Sequence, residues 1–209
     1  MKVINACVLG MAILLLFGCN KGAGTFILEG VITDASFNQP LAGATVELYG
    51  VGGGNNQYAI VASAVTGEDG KYAFTFDRTR TEKYTLLVNK PLYFEQELEV
   101  YYSQLKLKET NIRNVTTTAQ SWVEIRIFNN NATNNDHLQF IRQQGKSGCT
   151  ACCSADFTHL YGAQDTSIFC VNDGNALYSI EYAVFGTSNT GILGVNTTAF
   201  DTTVLNLTY

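Results

Sequence analysis

The stretch TGEDGKYAF, Thr66 to Phe74, sets an Asp-Gly pair at the head of a strictly alternating run. Asp-Gly between alternating segments is a strong short-range signal for a tight turn, and Gly70 can adopt the positive φ that such a turn requires. Behind it Tyr72, Phe74 and Phe76 share one face of a two-residue period, while Lys71, Ala73 and Thr75 share the other. An aromatic face opposite a wet face describes a half-buried strand. Upstream, QYAIVASAV (57–65) has the length and β-branched content of a partner strand, so the two are expected to pair as a hairpin closed at Asp69 and Gly70.

The same character extends outward. The 209 residues contain 12 Phe, 11 Tyr and only 2 Pro, and Gly, Asn and Thr collect between short apolar runs. No long helical period interrupts them, which predicts an all-β chain. The length suffices for two β-sandwich domains in tandem. A formal net charge of −5 argues against a nucleic-acid partner and offers no basic patch for anionic lipid heads.

Before the turn lie FILEGVITD (26–34), the turn-forming SFNQP, and LAGATVELYG (41–50); after it lie KYTLLV and the aromatic pair Tyr93 and Phe94. The order GVITD, PLAGATVEL, TGEDGKYAF, KYTLLV, Tyr93-Phe94 resembles a carboxypeptidase regulatory-like domain, a small sandwich of the transthyretin-like type, over roughly residues 25 to 105. That resemblance implies an accessory module without catalytic residues of its own. Related hydroxyisourate hydrolases need histidines, whereas His137 and His159 both lie outside this region. Adhesin repeats of similar architecture carry a lysine on the opening strand, and FILEGVIT has none.

YFEQELEVYY (93–102) sets Phe94, Gln96, Leu98 and Val100 opposite Glu95, Glu97 and Glu99. Residues two apart on a strand are separated by about 6.5 to 7 Å, too far to build most of a calcium shell, so the carboxylates read as a solvated face. Asp69 reads as a turn residue. SQLKLKETNIRNVTTTAQ (103–120) reads as a last strand running into a linker. In SWVEIRIFNN (121–130) Val123, Ile125 and Ile127 form the core face, which leaves Trp122, the sole tryptophan, partly exposed or covered by the first domain. Beyond it LQFIR, TSIFC, ALYSIEYAVFG, GILGV and TTVLNLTY supply the strands of a second sandwich.

At the other end, Lys2 precedes the apolar run Val8 to Phe17. Ten such residues are too few to span a bilayer, which takes about twenty, but suit an export signal. Leu16, Phe17, Gly18 and Cys19 resemble the lipobox of bacterial lipoproteins, which implies cleavage before Cys19, acylation of its thiol and a partner in membrane lipid. The chain therefore divides into a signal peptide (1–18), a lipidated tether (19–24), a regulatory-like sandwich (25–116) and a second sandwich (117–209). The location implied is the bacterial cell envelope. The residues after Cys19 favour the outer membrane over the inner.

SGCTACCSADF (147–157) concentrates Cys149, Cys152 and Cys153, and Cys170 follows in TSIFC. Export favours two disulfides over a zinc shell, a redox pair or a nucleophile. Two of the three possible pairings avoid a strained bond between neighbours, and each ties the cluster to Cys170 with a loop closure worth about 3 kcal/mol. Either would hold the irregular segment SADFTHLYGAQDT against the sandwich as a rigid recognition loop.

These readings converge on a membrane-anchored, non-catalytic binding or structural accessory lipoprotein, with a glycan-binding lipoprotein of a nutrient-capture system as the alternative. The partner is a protein or a glycan. Trp122 and His159 are the candidate ligand contacts, and no catalytic residue, metal site or cofactor is assigned. Glycan binding requires an exposed aromatic surface beside polar groups, for which Trp122, Tyr93, Tyr101 and Tyr102 are the first candidates.

Overall fold

The computed structural model describes residues 24–52, 58–79 and 81–209; the segment 1–18 expected to be a signal peptide, and Cys19, lie outside them. The chain is all-β, two sandwiches in tandem, and among the described residues the one helical element is a 3-10 turn at Tyr102–Gln104. Among the described residues no helix is long and apolar enough to cross a membrane.

The first sandwich starts with β1 (Thr25–Asp34), whose inward positions Phe26, Leu28, Gly30 and Ile32 follow the two-residue period. One edge of β1 pairs with β2 (Gln39–Pro40) and β5 (Lys71–Asp77). The opposing sheet has the order β4 (Tyr58–Val65), β3 (Thr45–Val51), β6 (Lys83–Asn89), β7 (Gln96–Tyr101). Phe26, Phe74 and Phe76 from one sheet meet Val46, Leu48, Tyr84, Leu86 and Val100 from the other in a single buried cluster.

The expected hairpin is not formed. The Asp-Gly turn is present, with Gly70 at φ +67° and its N–H donated to Gly67 O at 2.9 Å, but β4 pairs with β3 and β5 pairs with β1. The turn carries the chain from one sheet to the other. Thr66 fixes the departing side: its buried hydroxyl accepts from Ala44 N (2.9 Å) and donates to Leu41 O (2.6 Å). Gly70 fixes the arriving side, because its carbonyl accepts from Ile32 N of β1 at 2.9 Å. An Asp-Gly pair encodes a reversal of direction, and these buried bonds determine which strands flank it.

The single last strand expected in 103–120 is instead two short ones, β8 (Thr110–Ile112) and β9 (Val115–Thr117), both parallel to β1 along its second edge. Between them Arg113 crosses Gly30 so closely that a Cβ on Gly30 would sit 1.9 Å from Arg113 O. Tyr72 donates its hydroxyl to the same carbonyl at 2.7 Å. The pattern is weak because each strand is only three residues long and is held by β1, not by its own apolar period.

In the second sandwich β10 (Gln120–Phe128) lies between β13 (Asp165–Asp173) and the closing strand β16 (Thr202–Thr208). The facing sheet has the order β12 (Thr158–Tyr161), β11 (His137–Gln144), β14 (Leu177–Val184), β15 (Thr190–Asn196). Val123, Ile125 and Ile127 are buried as the alternation predicts, against Leu138, Phe140, Tyr178, Ile180, Leu205 and Leu207. The irregular loop expected from Ser154 to Phe169 is corrected: Thr158–Tyr161 forms β12, and β13 begins at Asp165.

The two sandwiches meet at a defined junction. Phe200 stacks on Phe37 and meets Tyr93 edge-on, at centroid distances of 5.9 and 5.5 Å. Gly174 N donates to Ala119 O at 2.7 Å. Lys146 pairs with Asp173 at 2.9 Å and lies 4.2 Å over the Phe94 ring.

Candidate binding face

The four cysteines form two disulfides, Cys149–Cys152 and Cys153–Cys170. Sulfurs in disulfides supply neither thiolate ligands for zinc nor a free nucleophile. Cys170 is buried in the core, where the Tyr178 hydroxyl donates to its sulfur at 3.2 Å; burial pushes the Tyr178 phenol up to about 12. Ala151 O accepts from Val171 N at 3.0 Å, so the cluster is laid along β13 as well as bonded to it. Its role is to fasten the chain between β11 and β12.

The fastened segment leads into β12, an edge strand, and its outward side chains meet those of β11 and β14. Antiparallel register sets His137 opposite Tyr161, Gln139 opposite both His159 and Ala183, and Ile141 opposite Glu181. Leu138 and Phe140, one step out of phase, are in the core. On the outer face the His137 ring is sandwiched between Tyr161 and Phe185, each at a centroid distance of 4.3 Å. His137 Nε2 and His159 Nδ1 are 2.9 Å apart, and Phe157 adjoins His159. Tyr161, Phe157 and Phe185 remain 66%, 55% and 52% exposed. Beside them a shallow depression of about 150 Å³ is walled by Gln139, Ile141, Phe157 and Glu181. Gln143 donates to the Glu181 carboxylate at 2.7 Å, which orients it.

Trp122 and His159 do not converge. Trp122 is half-buried on the outer side of β10, between Val171 and Thr202, whereas His159 belongs to the opposite sheet. The other aromatic candidates are also dispersed. Tyr93 is at the junction and donates to buried Asp34 at 2.8 Å; burial, then this bond, push its phenol up to about 12. Tyr102 packs against the first core and beneath Arg78, and Tyr101 is exposed beside Glu99. The carboxylates on and just before β7 have separate partners: Glu99 pairs with Lys83, and Glu95 accepts from Asn89.

Sequence reasoning therefore missed His137, Phe157, Tyr161 and Phe185. The usable signal was the alternation His137, Gln139, Ile141 around buried Leu138 and Phe140. It became meaningful only once THLY was known to pair with it.

No protein-family model matches the chain, and no curated protein matches it. Among solved structures, the chain is similar to the Bacillus anthracis TIE protein (16% identity, 88% of this chain and 34% of that one, TM-score 0.40). It is similar also to GBS52, the minor pilin of Streptococcus agalactiae (13%, 88% and 94%, TM-score 0.37). A third is catechol 1,2-dioxygenase from Acinetobacter sp. ADP1 inhibited by bound mercury (12%, 49% and 55%, TM-score 0.35). The chain thus spans about a third of the first of these proteins and about half of the last. At such scores the likenesses bear on neither ligand nor activity.

Proposed function

We propose that this protein is a lipid-anchored, non-catalytic binding accessory of the bacterial cell envelope, with its binding face on the outer side of the β12-β11-β14-β15 sheet. The observation that carries the reading is the gathering of three largely exposed aromatic rings on one side of one sheet. A soluble surface rarely leaves such rings contiguous unless something covers them. Acylation of Cys19 supplies the anchor, and the disulfide pair holds the approach to the face.

A narrower reading, a glycan ligand, is favoured by the depression beside the rings. It offers one aromatic wall at Phe157, one apolar wall at Ile141, an amide at Gln139 and an oriented carboxylate at Glu181. The pairing of a hydrophobic surface with fixed donors and acceptors suits a sugar ring. Its volume is below that of a drug-sized site, as expected for one unit of a longer polymer.

One experiment addresses anchor and face together: retention of fluorescent soluble polysaccharides by membrane fractions. Wild-type membranes are expected to carry the protein and hold a polysaccharide. Cys19→Ser is expected to shift the protein to the soluble fraction, and its persistence in the membrane would refute the anchor. Phe157→Ala with Tyr161→Ala is expected to stay membrane-bound while retention falls about tenfold, the scale of losing roughly 1.4 kcal/mol. Undiminished retention by that variant would refute the face.

A further inference from the structure

The chain has only two histidines, and strand pairing brings them together. His137 faces outward on β11 and His159 faces outward on β12, displaced diagonally by two residues in the register. Such diagonal neighbours are within reach of long side chains. The result is a nitrogen-to-nitrogen distance of 2.9 Å, with ring centroids 5.2 Å apart.

We propose that His137 and His159 together form a two-imidazole site for a divalent transition-metal ion of the copper(II) and nickel(II) type. Imidazole nitrogens bind such ions at about 2.0 to 2.1 Å. Two bonds of that length at a right angle hold their donors about 2.9 Å apart, and at a tetrahedral angle about 3.3 Å apart. The observed 2.9 Å is the separation of a ring-to-ring hydrogen bond and is within a small pivot of either spacing; two imidazoles with water in the remaining positions make the nitrogen and oxygen shell that suits copper(II) and nickel(II).

The neighbours support the assignment. Tyr161 and Phe185 clamp the His137 ring on both faces, so one ligand is held before the ion arrives. His159 is exposed, which leaves room for the ring to pivot and for water to complete the shell. Without an ion, two neutral rings at this distance share one N–H between the facing nitrogens. When both nitrogens coordinate, that proton moves to the far nitrogen of the same ring. Among the described residues nothing hydrogen-bonds His137 Nδ1 or His159 Nε2, so the tautomer change displaces no partner and releases no proton. The four globular cysteines are in disulfides and do not compete as thiolates.

The consequence is a cross-link between β11 and the edge strand β12, which otherwise share only four residue pairs. An ion that binds the folded pair and not the unfolded chain raises stability by RT ln(1 + c/Kd) at free ion concentration c, so the gain keeps growing with the logarithm of c.

The test uses the full mature protein without a polyhistidine tag and with its disulfides intact, titrated with copper(II). One equivalent is expected to bind in the micromolar range, with electron paramagnetic resonance showing coupling to two imidazole nitrogens and the melting temperature rising. His159→Gln and His137→Gln are each expected to lower affinity at least about tenfold and abolish the thermal shift. Circular dichroism of both variants checks that the fold persists. Binding unchanged in both variants, or a copper spectrum without imidazole coupling, would overturn the site. Because no glycan enters the experiment, its failure leaves the proposed binding face standing, and loss of glycan retention leaves the metal site standing.

Discussion

The two sandwiches divide their aromatic rings differently between core and surface. Among the described residues the first has fifteen buried hydrophobics in its core, including Phe26, Tyr72, Phe74, Phe76 and Tyr84. These rings interlock, Phe26 on Phe76 at 5.7 Å and Phe76 on Tyr84 at 5.1 Å, and no disulfide is found there. The second core has eleven buried members with only Phe140 and Tyr178 as aromatics, and Cys170 is one of the eleven. Outside that core Phe157, Tyr161, Phe169 and Phe185 are exposed, while Tyr182 and Tyr209 pack half-buried against it. A large buried ring removes far more apolar area from water than a small side chain does. The second sandwich gives up part of that gain for an aromatic exterior, and a covalent bond from the surface segment into the core offsets it.

If the first sandwich depends on tight packing, its most sensitive point is Gly30. A methyl group there would meet the Arg113 backbone carbonyl at 1.9 Å and the Tyr72 ring at 2.8 Å. Neither β1 nor the β8-β9 crossover can yield without losing ladder bonds. Gly30→Ala is therefore expected to cost about 4 kcal/mol, at the severe end for a single substitution. The loss should fall on the first sandwich alone. Trp122, the only tryptophan, lies in the second, so urea unfolding followed by its fluorescence should be little changed while far-ultraviolet circular dichroism reveals an early transition. Equal shifts in both signals would show that the two sandwiches unfold as one unit.

The complementary perturbation is removal of the covalent bonds. Replacing Cys153 and Cys170 by Ala opens a closure between residues 17 apart, worth about 3 kcal/mol on chain-entropy grounds. Replacing Cys149 and Cys152 opens one between residues 3 apart, worth about 2 kcal/mol on the same grounds. Both losses should register in the Trp122 transition and spare the first sandwich. Because Cys170 is buried and Cys149 only half-buried, cavity formation adds to the first loss and widens the gap. If the two double variants lost equal stability, the contrast between a clamped core and a self-sufficient one would not stand.

Much of this contrast was legible in residue order. The alternation in KYAFTF and in SWVEIRIF fixed which side chains enter each core, because a two-residue period leaves no other choice. The cysteine spacing narrowed the bonds to two pairings. What stayed hidden was non-local: that Thr66 and Gly70 anchor a turn between sheets, and that four residues, THLY, make an edge strand. Such a strand is too short for a periodic signal, and its partner is more than a dozen residues away. The candidate face was hidden for the same reason. In sequence His159 stands as a lone candidate contact and His137 as an unremarkable polar residue, and the two become neighbours only through register.

The smallest effect tests whether the two sandwiches, different inside, are mechanically coupled. At the junction Phe200 lies on Phe37 with an interplanar angle of 17° and meets Tyr93 at 61°. Phe37 and Phe200 are both partly exposed, so only part of the ring area is removed from water, and such a contact contributes about 1 kcal/mol. Phe200→Ala removes the rings' contact but leaves the bonds from Asn175 to Ser36 O and from Ala119 N to Ser36 Oγ, each 3.0 Å. Alanine is also the appropriate replacement because Phe200 has φ +66°: Ala bears the same backbone strain, whereas Gly would relieve it and mask the loss. The expected outcome is a modest widening between the circular dichroism and Trp122 midpoints, equivalent to about 1 kcal/mol of lost coupling. Unchanged midpoints would mean that the hydrogen bonds and the Lys146–Phe94 contact hold the sandwiches together, and that the stacked rings cover the junction without joining it.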